Sequence, residues 1–242
     1  MNRIVTLILR NIFKIPGIYV RLCRYAKNPD KYPEKERWDY IKTKLQMLLP
    51  TGNIDLQVSG MENIPSQGGF MLYGNHQGMF DMVALCASSP ITLGVVYKQE
   101  LKNIPILEQV LRCTKSFALD RSNPRQGIVV MQKVQQELMR GRSYVIFPEG
   151  TRSKSSNTMG EWHSGSFKCA VKAACPIVPV AFVDCYKVLD QKGSKPISAQ
   201  VHYLEPVTFE EYGSLKTGEI AELVKSRVQQ ALDKYTTEYA GY

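Results

Sequence analysis

Histidine is scarce in this chain of 242 residues. Only His76, His163 and His202 occur, none beside another His or a Cys at zinc-ligand spacing, so the sequence offers no metal site. The six cysteines (Cys23, Cys86, Cys113, Cys169, Cys175 and Cys185) form no CxxC pair and no small-domain disulfide rhythm. They read as reduced, buried thiols of a cytosol-facing protein. No G-x-S-x-G elbow occurs, which disfavours an ordinary α/β-hydrolase serine. No GxGxxG occurs either, and Gly160 to Gly165 has P-loop spacing with Ser166 and Phe167 where Lys and Ser/Thr are needed. No uninterrupted apolar stretch near the amino end reaches the roughly 20 residues that span a bilayer.

The remaining composition is that of an ordinary folded protein, 44% apolar and 22% charged. The length suits one large α/β domain, or one domain with a short appendage. Thirty-one Lys and Arg against 22 Asp and Glu give a net charge of +9. That balance calls for an anionic partner. Nucleic acid is not expected, because the chain carries no RNP, zinc-finger or other binding signature.

Residues 4–23 are rich in Ile, Leu and Val but interrupted by Arg10, Lys14 and Arg21. At about 100° per residue, Arg3, Arg10, Lys14 and Arg21 fall on one narrow stripe, and Ile4, Val5, Ile8, Ile12, Ile15, Tyr19 and Leu22 cover much of the rest. The spacing predicts a wide-faced basic amphipathic helix, kinked or split at Pro16-Gly17, lying in an anionic membrane interface. Each cation is worth about 1 kcal/mol there. Removing residues 1–27 is then expected to release the chain from anionic vesicles. Residues 34–49 predict a second helix, so residues 1–50 read as a membrane-docking helical segment and residues 51–242 as the main domain.

Within the main domain, strand patterns fall at 55–59, 70–74, 92–97, 116–119, 143–147, 177–183 and 200–204. Helical periods fall at 80–88, 104–113, 124–140, 166–174 and 219–239. Alternation of the two predicts an α/β fold, with a mostly parallel or mixed central sheet flanked by helices.

Two runs carry candidate chemistry. Gly74-Asn75-His76-Gln77-Gly78-Met79-Phe80-Asp81 leaves a strand and opens a helix. On one continuous helix His76 and Asp81 would diverge by about 140°. They meet only if His76 lies on the turn and Asp81 in the first helical turn, where the carboxylate holds the imidazole tautomer while His76 takes a proton. The second run, Phe147-Pro148-Glu149-Gly150-Thr151-Arg152-Ser153, empties from a strand at the end where open α/β sheets place ligands. Arg152 offers a planar fork suited to phosphate. Lys98 and Arg121 each put a further cation just past a strand.

These blocks, followed by Pro176-Ile177-Val178-Pro179-Val180, resemble in order the four motif blocks of the 1-acyl-glycerol-3-phosphate (lysophosphatidate) acyltransferases, over roughly residues 52–207. One departure is Gly78, where many members carry Ser. The resemblance implies transfer of a fatty acyl group from a thioester to the sn-2 hydroxyl of lysophosphatidate, giving phosphatidate. It implies His76 as general base with Asp81 orienting it, and Arg152 at the phosphate with Lys98 and Arg121 assisting. It further implies Glu149, Gly150 and Thr151 in the acceptor site. The co-substrate is expected to be acyl-CoA or acyl-carrier protein, with no bound cofactor and no metal. The expected partners are lysophosphatidate and an anionic membrane surface on the cytoplasmic side. The alternatives are acylation of another lysophospholipid or of glycerol 3-phosphate, and a basic membrane-surface scaffold without catalysis.

Overall fold

The computed structural model describes residues 2–120, 122–154 and 156–238. Its strands are β1 (Ile54–Ser59), β2 (Met71–Gly74), β3 (Leu93–Lys98), β4 (Phe117–Leu119), β5 (Ser143–Ile146), β6 (Ile177–Val183) and β7 (Ile197–Tyr203). They form one sheet in the order β1-β7-β6-β2-β5-β3-β4. The five strands from β6 to β4 run parallel; β7 turns antiparallel to β6 and carries β1 parallel to itself. The sheet is thus mixed and mostly parallel, as the alternating pattern predicts. β7 starts three residues before its expected position, because residues 197–199 read as polar coil until they pair with residues 54–56 of β1.

Both faces of the sheet are covered. In β2, β5 and β6 every residue is buried, as in a parallel sheet packed on both sides. Leu72, Val145, Val178 and Val180 enter one core, whereas Met71, Tyr73, Tyr144, Ile146 and Ile177 enter the other, following the period of two. The first core receives α2 (Ile15–Lys27), α3 (Glu34–Leu48), α4 (Phe80–Ser88) and α5 (Leu107–Cys113). The second receives α6 (Pro124–Met139), α7 (Lys168–Ala173) and α10 (Thr217–Glu238), with Val134 and Leu138 supplying the contact stripe of α6. Two short helices, α8 (Cys185–Leu189) and α9 (Phe209–Tyr212), lie below the length at which periodicity registers. All six cysteines are free, and only Cys23 is not fully buried.

The amino-terminal helices differ from expectation in two respects. The break falls at residues 11–14, between α1 (Arg3–Arg10) and α2, with Pro16 in the first turn of α2, where its missing N–H costs nothing. Three of the four cations of the basic stripe bond protein groups, whereas Lys14 is exposed. Arg3 is buried, donating through Nε to Val188 O at 3.0 Å and through Nη1 to Gly52 O at 2.8 Å. Arg10 Nη1 donates to Thr51 O at 2.8 Å, and Arg21 pairs with Glu36 at 3.3 Å. Carbonyls at residues 51, 52 and 188 hold the guanidinium groups of Arg3 and Arg10, and the opposite, apolar side turns outward. Val5, Ile8, Leu9, Ile12, Phe13, Tyr19 and Val20 are exposed, Phe13 at 97%. Among the described residues no helix is long and apolar enough to cross a membrane. Leu22, Tyr25, Ala26, Trp38 and Ile41 belong to the first core, so residues 1–50 share the packing of the rest of the chain.

His202 on β7 is buried, its Nδ1 2.7 Å from Ser59 Oγ and its Nε2 2.8 Å from Gln200 Oε1. A neutral ring protonated on Nε2 satisfies both partners. Burial, and secondarily Lys234, push its pKa down to about 4. The unfolded chain takes up this proton near pH 6.5, so stability present above that pH is lost as pH falls toward 4. The loss amounts to about 3 kcal/mol. Urea midpoints measured from pH 7 to pH 4 are expected to fall less steeply in His202→Gln than in the native chain.

Candidate active site

The central strand β2 ends at Gly74, between β5 and β6, and the segments after these three strands converge at one edge of the sheet. Chain connections diverge there, since β2 leads to β3 beyond β5 while β5 leads to β6 on the other side. This is the crevice position of open α/β sheets.

The loop from Asn75 to Met79 is clamped from both sides. Asn75 Nδ2 donates to Phe182 O at 2.9 Å, and its Oδ1 accepts from Phe182 N at 2.8 Å. Gln77 donates through Nε2 to Asn157 Oδ1 at 2.6 Å and accepts from Cys185 N at 2.8 Å. Asp81 lies in the first turn of α4, where the helix dipole favours a carboxylate. Its Oδ2 accepts from Gln77 N at 2.7 Å and Gly78 N at 3.0 Å and lies 2.7 Å from His76 Nδ1. The carboxyl is fully buried, and burial pushes its pKa up against the opposing pull of His76 and the two amides. The His76 ring stacks on Phe147, centroids 4.0 Å apart and planes 15° apart. Bracing on Nδ1 leaves Nε2 as the nitrogen available to a reacting hydroxyl.

The second run folds against the first. Ser153 N donates to His76 O at 2.9 Å and Lys154 N to Gln77 O at 2.8 Å, which brings Arg152 to the His76 loop. Gly150 closes the turn at φ +66°, in the left-handed region that favours glycine, with its N–H on Phe147 O. Glu149 is buried, and burial raises its pKa. Its two oxygens accept from His76 N at 2.8 Å and Gly160 N at 2.9 Å. Both of its oxygens are therefore engaged in fixing the walls of the site. Thr151 is exposed on the same turn. Arg152 is partly exposed, and its Nη1 lies 3.2 Å from Asp190 Oδ1.

Of the other cations, Lys98 ends β3 at the same sheet edge but is exposed, its Nζ 2.8 Å from Glu100. Arg121 lies outside the described residues. Sequence reasoning did not single out Asn75, Gln77, Phe147, Asn157 or Asp190. The first two flank His76 within its motif block, but nothing in the sequence ties Asn157 or Asp190 to it. Among the described residues no cluster of His, Cys, Asp and Glu is placed to hold a metal ion.

The fold is shared with a solved structure. The 1-acyl-sn-glycerophosphate acyltransferase of Thermotoga maritima superposes over 98% of both chains with a TM-score of 0.77 at 23% identity. In sequence, the chain is 30% identical to a Saccharomyces cerevisiae 1-acyl-sn-glycerol-3-phosphate acyltransferase over 74% of its own length and 60% of the yeast protein. It is 25% identical to the Escherichia coli protein of the same name over 80% of this chain and 79% of that one. The chain thus spans about three fifths of the yeast relative. The acyltransferase family model matches residues 55–183, just over half the chain, and includes both runs of the site. By that match the chain belongs to the acyltransferase family.

Proposed function

We propose that the chain transfers a fatty acyl group from acyl-CoA or acyl-carrier protein to the sn-2 hydroxyl of 1-acyl-glycerol-3-phosphate, giving phosphatidate for phospholipid synthesis. The observation that carries this reading is the His76–Asp81 pair at 2.7 Å, hydrogen-bonded through its loop to the segment that bears Arg152. The names of the yeast and E. coli relatives support the acceptor. His76 Nε2 takes the proton of the attacking hydroxyl as the new C–O bond forms, and Asp81 stabilises the resulting imidazolium. The tetrahedral intermediate then expels the thiolate, which recovers that proton, so no acyl-enzyme and no bound cofactor is required. General-base help of this kind is worth about 10²–10⁴ in rate.

Arg152 binds the phosphate of the acceptor, with Lys98 adding positive potential at the sheet edge and Arg121 assisting. Glu149, Gly150 and Thr151 form the turn that frames the glycerol. The exposed apolar side of α1 and α2 inserts into the cytoplasmic leaflet, so the enzyme meets its lipid acceptor as a peripheral protein. Lysophosphatidylcholine and glycerol 3-phosphate are the competing acceptors.

An assay crossing acyl-CoA and acyl-carrier protein with these three acceptors tests the reading, which fails if lysophosphatidate is not the preferred acceptor. Arg152→Ala is expected to raise KM for lysophosphatidate about 10–100-fold, the worth of one charged hydrogen-bonded contact. An equal loss on a phosphate-free lysolipid would remove Arg152 from the headgroup.

A further inference from the structure

Asp190, the residue after α8, sits in the active site although no motif block contains it. Its Oδ1 lies 3.2 Å from Arg152 Nη1, and its Oδ2 accepts from Met79 N at 2.8 Å. Its side chain is 9% exposed. The carboxylate thus ties the guanidinium of the second run to the backbone that leads from His76 into α4. Glycine at 78 is the second observation. A Cβ placed there would lie 2.4 Å from Asp190 Oδ2 and 3.1 Å from the Tyr186 Cα. Gly78 and Asp190 therefore occupy complementary space, and the carboxylate fills the room that a side chain at 78 would take.

The geometry points to Asp190 as a positioning residue for Arg152: it anchors one guanidinium nitrogen so that Nε and Nη2 face the acceptor's phosphate as a fixed fork. Among the described residues neither Nε nor Nη2 of Arg152 has a protein hydrogen-bond partner, which is the state a bidentate phosphate contact requires. A guanidinium free to rotate would lose ordering entropy on each binding event; one already held by Asp190 loses less. Asp190 carries no proton in the reaction and need not touch the reacting atoms.

This inference rests on the proposed reading for its substrate, and two measurements on the 242-residue chain test it. The first is kinetic. Asp190→Ala is expected to raise KM for lysophosphatidate about tenfold with a smaller change in kcat, and to add nothing further in an Arg152→Ala background. Full additivity of the two changes, or an unchanged KM in a folded Asp190→Ala chain, overturns it. The second needs no substrate. In spectra of ¹⁵N-labelled protein the Arg152 guanidinium is expected to show hindered rotation that Asp190→Asn releases. Free rotation in the native chain overturns the proposal. Absence of acyl transfer by the native chain, with the hindered signal present, overturns the proposed reaction and leaves Asp190's hold on Arg152 supported. A thermal melt of each variant identifies the folded ones, and Gly78→Ala supplies an independent check. Its penalty on KM is expected to shrink when Asp190→Ala removes the carboxylate it collides with. An equal penalty in both backgrounds counts against the shared-space argument.

Discussion

Replacing His76 with alanine is expected to lower acyl transfer by at least about 10²–10⁴-fold, the range a positioned general base supplies. The fold should survive, because the carboxylate of Asp81 keeps two donors when the ring is removed, Gln77 N and Gly78 N. The loop also keeps its clamps at Asn75 and Gln77. A melt within a few degrees of native, together with that loss of transfer, is the expected result. Turnover close to native in His76→Ala would remove the ring from the chemistry and leave the pair at 2.7 Å a structural contact. The ring's stacking on Phe147 makes the substitution more informative, since Phe147 remains to fill the wall and the main loss is the nitrogen.

The second large effect concerns docking. Leu9 and Phe13 stand on the outward side of the amino-terminal helices, 54% and 97% exposed. Burying a large apolar side chain is worth about 1.5–3 kcal/mol, so changing both to aspartate removes about 4 kcal/mol of insertion and adds repulsion from an anionic leaflet. Affinity for phosphatidylglycerol vesicles, read by co-sedimentation, is expected to fall about 10³-fold in Leu9→Asp/Phe13→Asp. Pelleting equal to native would refute docking by this face. Point changes are the right instrument, because removing residues 1–27 would also take Leu22, Tyr25 and Ala26 out of the core. With Arg3, Arg10 and Arg21 already engaged by protein groups, and Lys14 the exposed cation of that stripe, the proposed attachment is expected to draw mainly on apolar contact. Added salt, which shortens screening to about 3 Å at 1 M, should weaken it only modestly.

The contrast between the two sites shows what a sequence conveys. The His76–Asp81 geometry was legible because it depends on six consecutive positions and a helix start, both local properties. The strands were legible because residues such as Leu72, Val145 and Val178 must be apolar to lie inside a covered sheet. The orientation of α1 was not. An amphipathic pattern separates a polar from an apolar side but does not say which one meets the body of the protein. That choice was made by carbonyls of Thr51, Gly52 and Val188, remote in sequence and visible only after folding. Asp190 was hidden for the same reason. A lone acidic residue between Leu189 and Gln191 carries no periodic signal, and its partner Arg152 stands 38 positions away.

Arg3 holds the carbonyl of Val188, and two residues later Asp190 holds Arg152. A single five-residue helix, α8, therefore has one grip from α1 and, at the residue that follows it, one from the guanidinium of Arg152. Rigid packing at Val188, which is fully buried, leaves little slack between those two grips. If α1 docks on a leaflet as proposed, its tilting is expected to be felt mechanically at the guanidinium, only a few peptide units away.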